Sequence, residues 1–143
     1  MMKKIKIKYF RDITPIEKII KGDWIDLRSA ETIELKAGEY KAIPLGVGMK
    51  LPRGYEASVV PRSSTFKNYG LLQANGYGVI DNSYSGEEDQ WHMIVYATRD
   101  TIVKKNDRIC QFRINKIQTG VKLISVPHLN KISRGGIGST GVK

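Results

Sequence analysis

The run Asn75-Gly76-Tyr77-Gly78-Val79-Ile80-Asp81-Asn82-Ser83-Tyr84-Ser85-Gly86-Glu87 carries the densest chemistry in the chain. Asn-Gly is a strong turn signal, because both residues tolerate positive φ. Leu71 and Leu72 precede it and Val79 and Ile80 follow it, so the run predicts two short strands joined by a tight turn. Asp81 then falls at a strand end, with Tyr84 three residues on as the wall of a pocket. A carboxylate held in this way can orient a water and take its proton. The same residues also suit an ordinary surface hairpin with a turn acid.

Other residues share one chemistry, that of holding an anion. Arg62, Ser63 and Ser64 follow Pro61 at a predicted strand-to-helix junction, where free N–H groups and the helix dipole attract negative charge. Gln111 interrupts the otherwise apolar Ile109-Cys110-Gln111-Phe112 and needs a hydrogen-bond partner, which a phosphate oxygen can supply. Arg134, Ser139 and Thr140 lie in a Gly-rich run that can close over a phosphate through backbone N–H groups and charge-assisted bonds. Asp26, between Ile25 and Leu27, is the second carboxylate that reads as poised rather than solvated. Each has a plain structural alternative: Ser64 as a helix cap, Gln111 as a solvent-facing strand residue, Asp26 as a turn acid.

The elements that must position these groups are mostly strands. Lys3 to Tyr9 alternates apolar and basic residues, which predicts a strand with one solvated face. Thr14-Pro15 reads as the start of a short helix ending near Gly22. Strands are expected over 24–30, 32–35, 40–51 with breaks at Pro44, Gly46 and Gly48, 55–60, 91–97, 108–117 and 121–126. Ser63 to Gly70 predicts a short helix, capped by a Ser and closed by Gly70 in the left-handed conformation. Many short strands with almost no helix indicate an all-β sandwich or jelly-roll-like barrel. The division expected is a β-barrel domain over 1–132 and a mobile Gly-rich tail over 133–143.

Composition bounds the partners. A formal net charge of +10 favours an anionic one, nucleic acid or polyphosphate, although the lysines are dispersed along the chain. The single Cys110 allows no intrachain disulfide and no Cys-rich zinc site, and His92 and His128 lack metal-ligand spacing. No apolar run is long enough to span a membrane, so a soluble, cytoplasmic protein is expected. A sheet pair of this size has edges and a limited core, so oligomerisation is expected too.

Taken in order, Asp26-Leu27, Pro61-Arg62-Ser63-Ser64, Gly78-Val79-Ile80-Asp81 with Tyr84 and Gly86, Arg108-Ile109-Cys110-Gln111, and Arg134-Gly135 with Gly138-Ser139-Thr140-Gly141 resemble the five-motif signature of the homotrimeric dUTPase family. The resemblance runs from about Gly22 to the C-terminus. It implies a distorted jelly roll, or β-clip, with one short helix. It implies a dUTP diphosphatase that uses Mg²⁺ to cut dUTP into dUMP and pyrophosphate, limiting uracil incorporation into DNA. It further implies that Asp81 activates the water attacking the α-phosphate, and that Tyr84 packs under the deoxyribose and leaves no room for a 2′-hydroxyl. Asn75 and the backbone of Gly76, Gly78, Val79 and Ile80 would read uracil. Ser63, the N–H of Ser64 and Gln111 would hold phosphates, with Arg62 organising the site. Asp26 would help hold the hydrated Mg²⁺, and three subunits would build each site, one of them lending its tail.

The chain departs from the family pattern in two places. The tail is two residues shorter than usual, and Ile137 stands where the family has a Phe that stacks on uracil. An Ile covers a base by contact only. Asp23-Trp24-Ile25-Asp26 also lacks the Ala-Gly that usually precedes the first-motif Asp. Two rival readings remain. The related dCTP deaminase shares the fold, but needs a Glu on the strand that here reads Trp91-His92-Met93-Ile94-Val95-Tyr96. A non-enzymatic role, in which dUTP switches an interaction with a regulatory protein or nucleic acid, is kept open by the positive charge.

Overall fold

A computed structural model describes residues 2–143. The elements run β1 (Lys6–Tyr9), β2 (Ile25–Arg28), β3 (Ile33–Leu35), β4 (Tyr40–Pro44), β5 (Val47–Lys50), β6 (Tyr55–Pro61), α1 (Thr65–Tyr69), β7 (Leu71–Gln73), β8 (Gly78–Ile80), β9 (His92–Ala97), β10 (Thr101–Val103) and β11 (Arg108–Lys116). They form small antiparallel sheets: β2-β11-β6-β8, β4-β9-β7, β1-β5 and β10-β3. This is the all-β, distorted jelly roll expected, with one short helix. No helix among the described residues is long and apolar enough to cross a membrane.

Alternation sets the core. On β9, Met93, Val95 and Ala97 point inward, while His92 and Tyr96 face out. β6 lies between β11 and β8, so its middle residues Ala57, Ser58 and Val59 are all buried. Buried Ser58 is satisfied from two sides: its hydroxyl bonds with that of Tyr77, and Asn115 Nδ2 donates to it at 2.5 Å. The largest buried side chains, Trp91 and Phe112, meet edge to face with centroids 5.3 Å apart.

Three expectations fail, each for a physical reason. Pro15 to Gly22 is not helical. The N–H of Thr14 is taken by Asn106 Oδ1 and that of Ile16 by the Tyr9 hydroxyl, and Ile20 is fully exposed, so no apolar face docks a helix. An isolated helix this short is marginal without such docking. Ser64 sits at the N-cap of α1, but its side chain makes no cap bond. Thr65 works there instead: its hydroxyl accepts from Arg62 N–H at 2.9 Å and donates to the Ile109 carbonyl at 2.8 Å. Gly70 does close the helix at φ 63°. Finally, 121–126 forms no strand, and Val121, Leu123, Ile124 and Val126 are exposed. A two-stranded or larger ladder is what makes a strand stable, and this segment pairs with no other strand among the described residues.

Phe112→Ala removes the ring that Trp91 packs against and should cost about 3–5 kcal/mol of stability, read as a lowered urea midpoint with an unchanged slope.

Candidate active site

The residues singled out from sequence fall into three groups. The first is an ion network. Strand pairing sets Gln111 opposite Asp26 on one side and Val60 on the other, with Cys110 opposite Pro61. This brings β2, the end of β6 and the start of β11 together. Asp26, largely buried, takes Arg62 Nε on Oδ1 at 3.2 Å and Arg108 on Oδ2 at 3.3 Å. Arg62 also donates to the Arg108 carbonyl at 3.1 Å, and Gln111 Nε2 donates to the Pro61 carbonyl at 3.1 Å. The backbone N–H groups and hydroxyls of Ser63 and Ser64 donate to nothing among the described residues. Asp26, Arg62, Ser63 and Gln111 line one cleft of ≈ 270 Å³ with Trp24 and Asp23. Such a cleft has carboxylate-anchored cations on its floor and open donors on its rim, an arrangement suited to an oxyanion.

The sequence reading missed Arg108 and Thr65. Arg108 stood in the quoted Arg108-Ile109-Cys110-Gln111, but only strand register shows that it reaches Asp26. Neighbouring Cys110 is fully buried, and desolvation pushes its thiol up, so it is inert.

The second group is the turn. The strands flanking Asn75-Gly76 do form, but they do not pair with each other as a hairpin. β7 pairs with β9, whereas β8 pairs with β6, so the turn crosses from one sheet to another. Gly76 supplies the positive φ (68°) and donates to the Gln73 carbonyl at 3.0 Å. Gly78, Val79 and Ile80 lie on the outermost strand of the four-stranded sheet. Asp81 follows directly and is exposed. Its Oδ1 accepts from the Ser83 hydroxyl at 2.6 Å and from Ser83 N–H at 2.8 Å. The hydroxyl bond, then the amide bond, hold its pKa below the ordinary carboxylate value, so it is ionised at neutral pH. Asn82 anchors the segment by donating to the carbonyls of Pro52 and Tyr55. Tyr84 OH donates to the Gln90 carbonyl at 2.9 Å, which fixes the ring.

The third group is the tail. Arg134, Ile137, Gly138, Ser139 and Thr140 are exposed, and the backbone bonds made within this segment are local, Ser139 N–H to Gly136 and Gly141 N–H to Gly138. Among the described residues, no hydrogen bond or ion pair joins Asp81 to the Asp26 network or the tail to either.

The family profile for dUTPase matches residues 24–141. The chain belongs to the dUTPase family. It is 58% identical to the SPbeta prophage-derived deoxyuridine 5′-triphosphate nucleotidohydrolase of Bacillus subtilis (strain 168), over 97% of this chain and 99% of that one. Among solved structures it resembles a mutant dUTPase of phage 80alpha, with TM-score 0.80 at 22% identity, over 97% of this chain and 99% of that chain. It also resembles a mutant dUTPase of phage phi11 of S. aureus, whose structure is described as revealing the coordination of a structural Mg(II) ion, with TM-score 0.75 at 19% identity, over 87% and 97%. At these identities the structural likenesses establish the dUTPase fold alone.

The donor set limits how a dUTPase ion is held here. No group of three or more His, Cys, Asp or Glu residues able to cage a metal occurs among the described residues. Both Asp26 oxygens already face guanidinium groups, though each keeps a lone pair. These residues fit a hydrated Mg²⁺ carried by phosphates and touched through water, since Mg²⁺ keeps most of its waters and takes few protein ligands.

Asp26→Asn leaves two partly buried guanidinium groups without a counter-charge and should cost about 1–3 kcal/mol in urea unfolding. Glu87→Gln, which breaks only the exposed Lys8–Glu87 pair, should cost under about 1 kcal/mol in the same measurement.

Proposed function

We propose that this protein is a dUTP diphosphatase, hydrolysing dUTP to dUMP and pyrophosphate, with Asp81 as the general base. One observation carries the reading: the chain matches the family over 24–141, and its 58%-identical relative bears the name of that activity over nearly its whole length. The step is an in-line displacement. Asp81 takes a proton from water, the water oxygen bonds to the α-phosphorus, and the bond to the bridging oxygen breaks, releasing pyrophosphate. A base kept ionised by Ser83, at the end of a strand and open to solvent, suits this step.

The remaining assignments belong to the same proposal. Asn75 and the backbone of Gly78, Val79 and Ile80 read uracil, and Tyr84 walls the deoxyribose. Ser63, Ser64 and Gln111 hold phosphate oxygens over the floor made by Arg62 and Asp26. Asp26 would meet the water shell of a phosphate-carried Mg²⁺, which when bound would supply charge neutralisation. Arg134, Ser139 and Thr140 close on the phosphates, and Ile137 covers the base by contact, with 133–143 acting as a lid. A homotrimer with shared sites accounts for the separation of Asp81, the Asp26 network and the tail within one chain, and for the exposed apolar residues of 121–132. The enzyme would work in the cytoplasm, where nucleoside triphosphates are found.

Pyrophosphate release should be fast from dUTP with Mg²⁺, and slow from dCTP, dTTP and UTP. Ammonia from dCTP would instead support a deaminase, although β9 bears no acid. Asp81→Asn should keep dUTP affinity and lose about 10²- to 10⁴-fold in turnover; unchanged turnover removes Asp81 from the mechanism.

The lowered pKa of Asp81 gives a signed test. Ser83→Ala removes the larger of the two causes, so the carboxyl moves back up towards its ordinary value. The acid limb of the kcat/KM–pH profile, which reports the free base, should therefore shift to higher pH.

A further inference from the structure

β7 and β8 are edge strands of different sheets, and they meet across the Asn75–Tyr77 turn with no ladder between them. An unpaired strand edge presents backbone donors and acceptors to whatever lies beside it. The spacing of these two edges therefore decides what can bind between them. One side chain crosses from one sheet to the other at this point. Gln73, the last residue of β7, donates from Nε2 to the carbonyl of Val59 on β6 at 3.1 Å. Val59 is the residue opposite Gly78 in the β6–β8 register. The same amide lies against Gly78, where an added Cβ would sit 3.0 Å from Gln73 Nε2 and 3.0 Å from the Val59 oxygen. Gln73 thus bonds to the strand behind β8 and fills the space beneath its first residue.

The arrangement carries a cost. Gln73 Oε1 is buried and has no donor among the described residues. A buried acceptor without a partner is destabilising, whereas an apolar side chain of similar size would fill the space without that penalty. Packing alone does not explain a glutamine here. A bond that ties the edge strand β7 to β6, the strand directly behind β8, does.

We propose that Gln73 is a positioning residue of the base slot. Its amide is a strut that sets the gap between the two edge strands and backs Gly78, and so sets the fit of a pyrimidine ring without touching the reacting atoms. The inference rests on the assignment of this turn to uracil made above. A slot whose width is no longer fixed binds the flat uracil ring less well, and it excludes the 5-methyl group of thymine less strictly.

The test compares wild type with Gln73→Leu, and with Gln73→Met in case a branched side chain misfits. Both variants delete the strut and the orphaned acceptor. Expected results are a KM for dUTP raised about tenfold, as for loss of one buried hydrogen bond's worth of alignment, with kcat nearly unchanged. The dUTP-to-dTTP ratio of kcat/KM should fall, and this ratio with KM, not the urea midpoint, decides, because the Val59 carbonyl also loses a donor. A purely structural glutamine would leave KM and the nucleotide ratio unmoved, which overturns the proposal. Amide hydrogen exchange at Gly78 to Ile80 is read in parallel without nucleotide. Faster exchange confined to this strand supports the strut, and unchanged exchange overturns it. If wild type releases no pyrophosphate from dUTP, the hydrolase reading fails, and the exchange result still decides the strut.

Discussion

The candidate phosphate cleft depends on one carboxylate held between two guanidinium groups. Asp26 lies on β2, Arg62 at the end of β6, and Arg108 at the start of β11. Their ion pairs bind three strands at the point where the chain leaves the sheet for α1. Removing Asp26 leaves two partly buried guanidinium groups without a counter-charge, and removing either arginine leaves the carboxylate one partner instead of two, so the network fixes geometry even where it adds little net stability. With Arg62 fixed, the following turn is fixed as well. Thr65 bonds back to Arg62 and across to Ile109, and Ser63 and Ser64 are left with donors facing solvent. Two arginines thus converge on one carboxylate beside a turn with free amides.

The Asn75–Tyr77 turn obeys a different constraint. It is the seam between two sheets, each of which ends there in an unpaired edge. A true hairpin would use its backbone groups on itself. A seam keeps them for a ligand, at the expense of needing something else to hold the two edges in place. Gln73 supplies that hold inside the fold, and Asn82 ties the outgoing chain to the Pro52–Tyr55 turn. Asp81 then emerges from the end of an edge strand with Ser83 on one oxygen, leaving the other carboxylate oxygen free to meet water.

Much of this was legible from residue order alone. The all-β class followed from many short strand-like runs separated by turn signals, with almost no helix. Asp26, Arg62, Ser63, Ser64, Asp81 and Gln111 each had a plain structural alternative and stood out together, through the order in which their motifs fall along the chain. Local signals misled where the answer lay with a distant partner. Pro15 to Gly22 has a helix start but no surface to dock on, and Asn106 and Tyr9 claim its amides. Val121 to Val126 is apolar enough for a strand, but it pairs with no other strand of this chain.

The order of the motifs and the left-handed turns at Gly70 and Gly76 are set by neighbouring residues, and for these the amino-acid sequence was sufficient. Tertiary structure alone decided that Arg108 reaches Asp26, that Thr65 rather than Ser64 secures the helix start, and that the Asn75-Gly76 turn joins two sheets instead of closing a hairpin. The physical reason is common to all three. Each depends on a partner tens of residues away, for Thr65 the Ile109 carbonyl, and which partners meet is settled by which buried faces pack together, a competition that no local stretch can report.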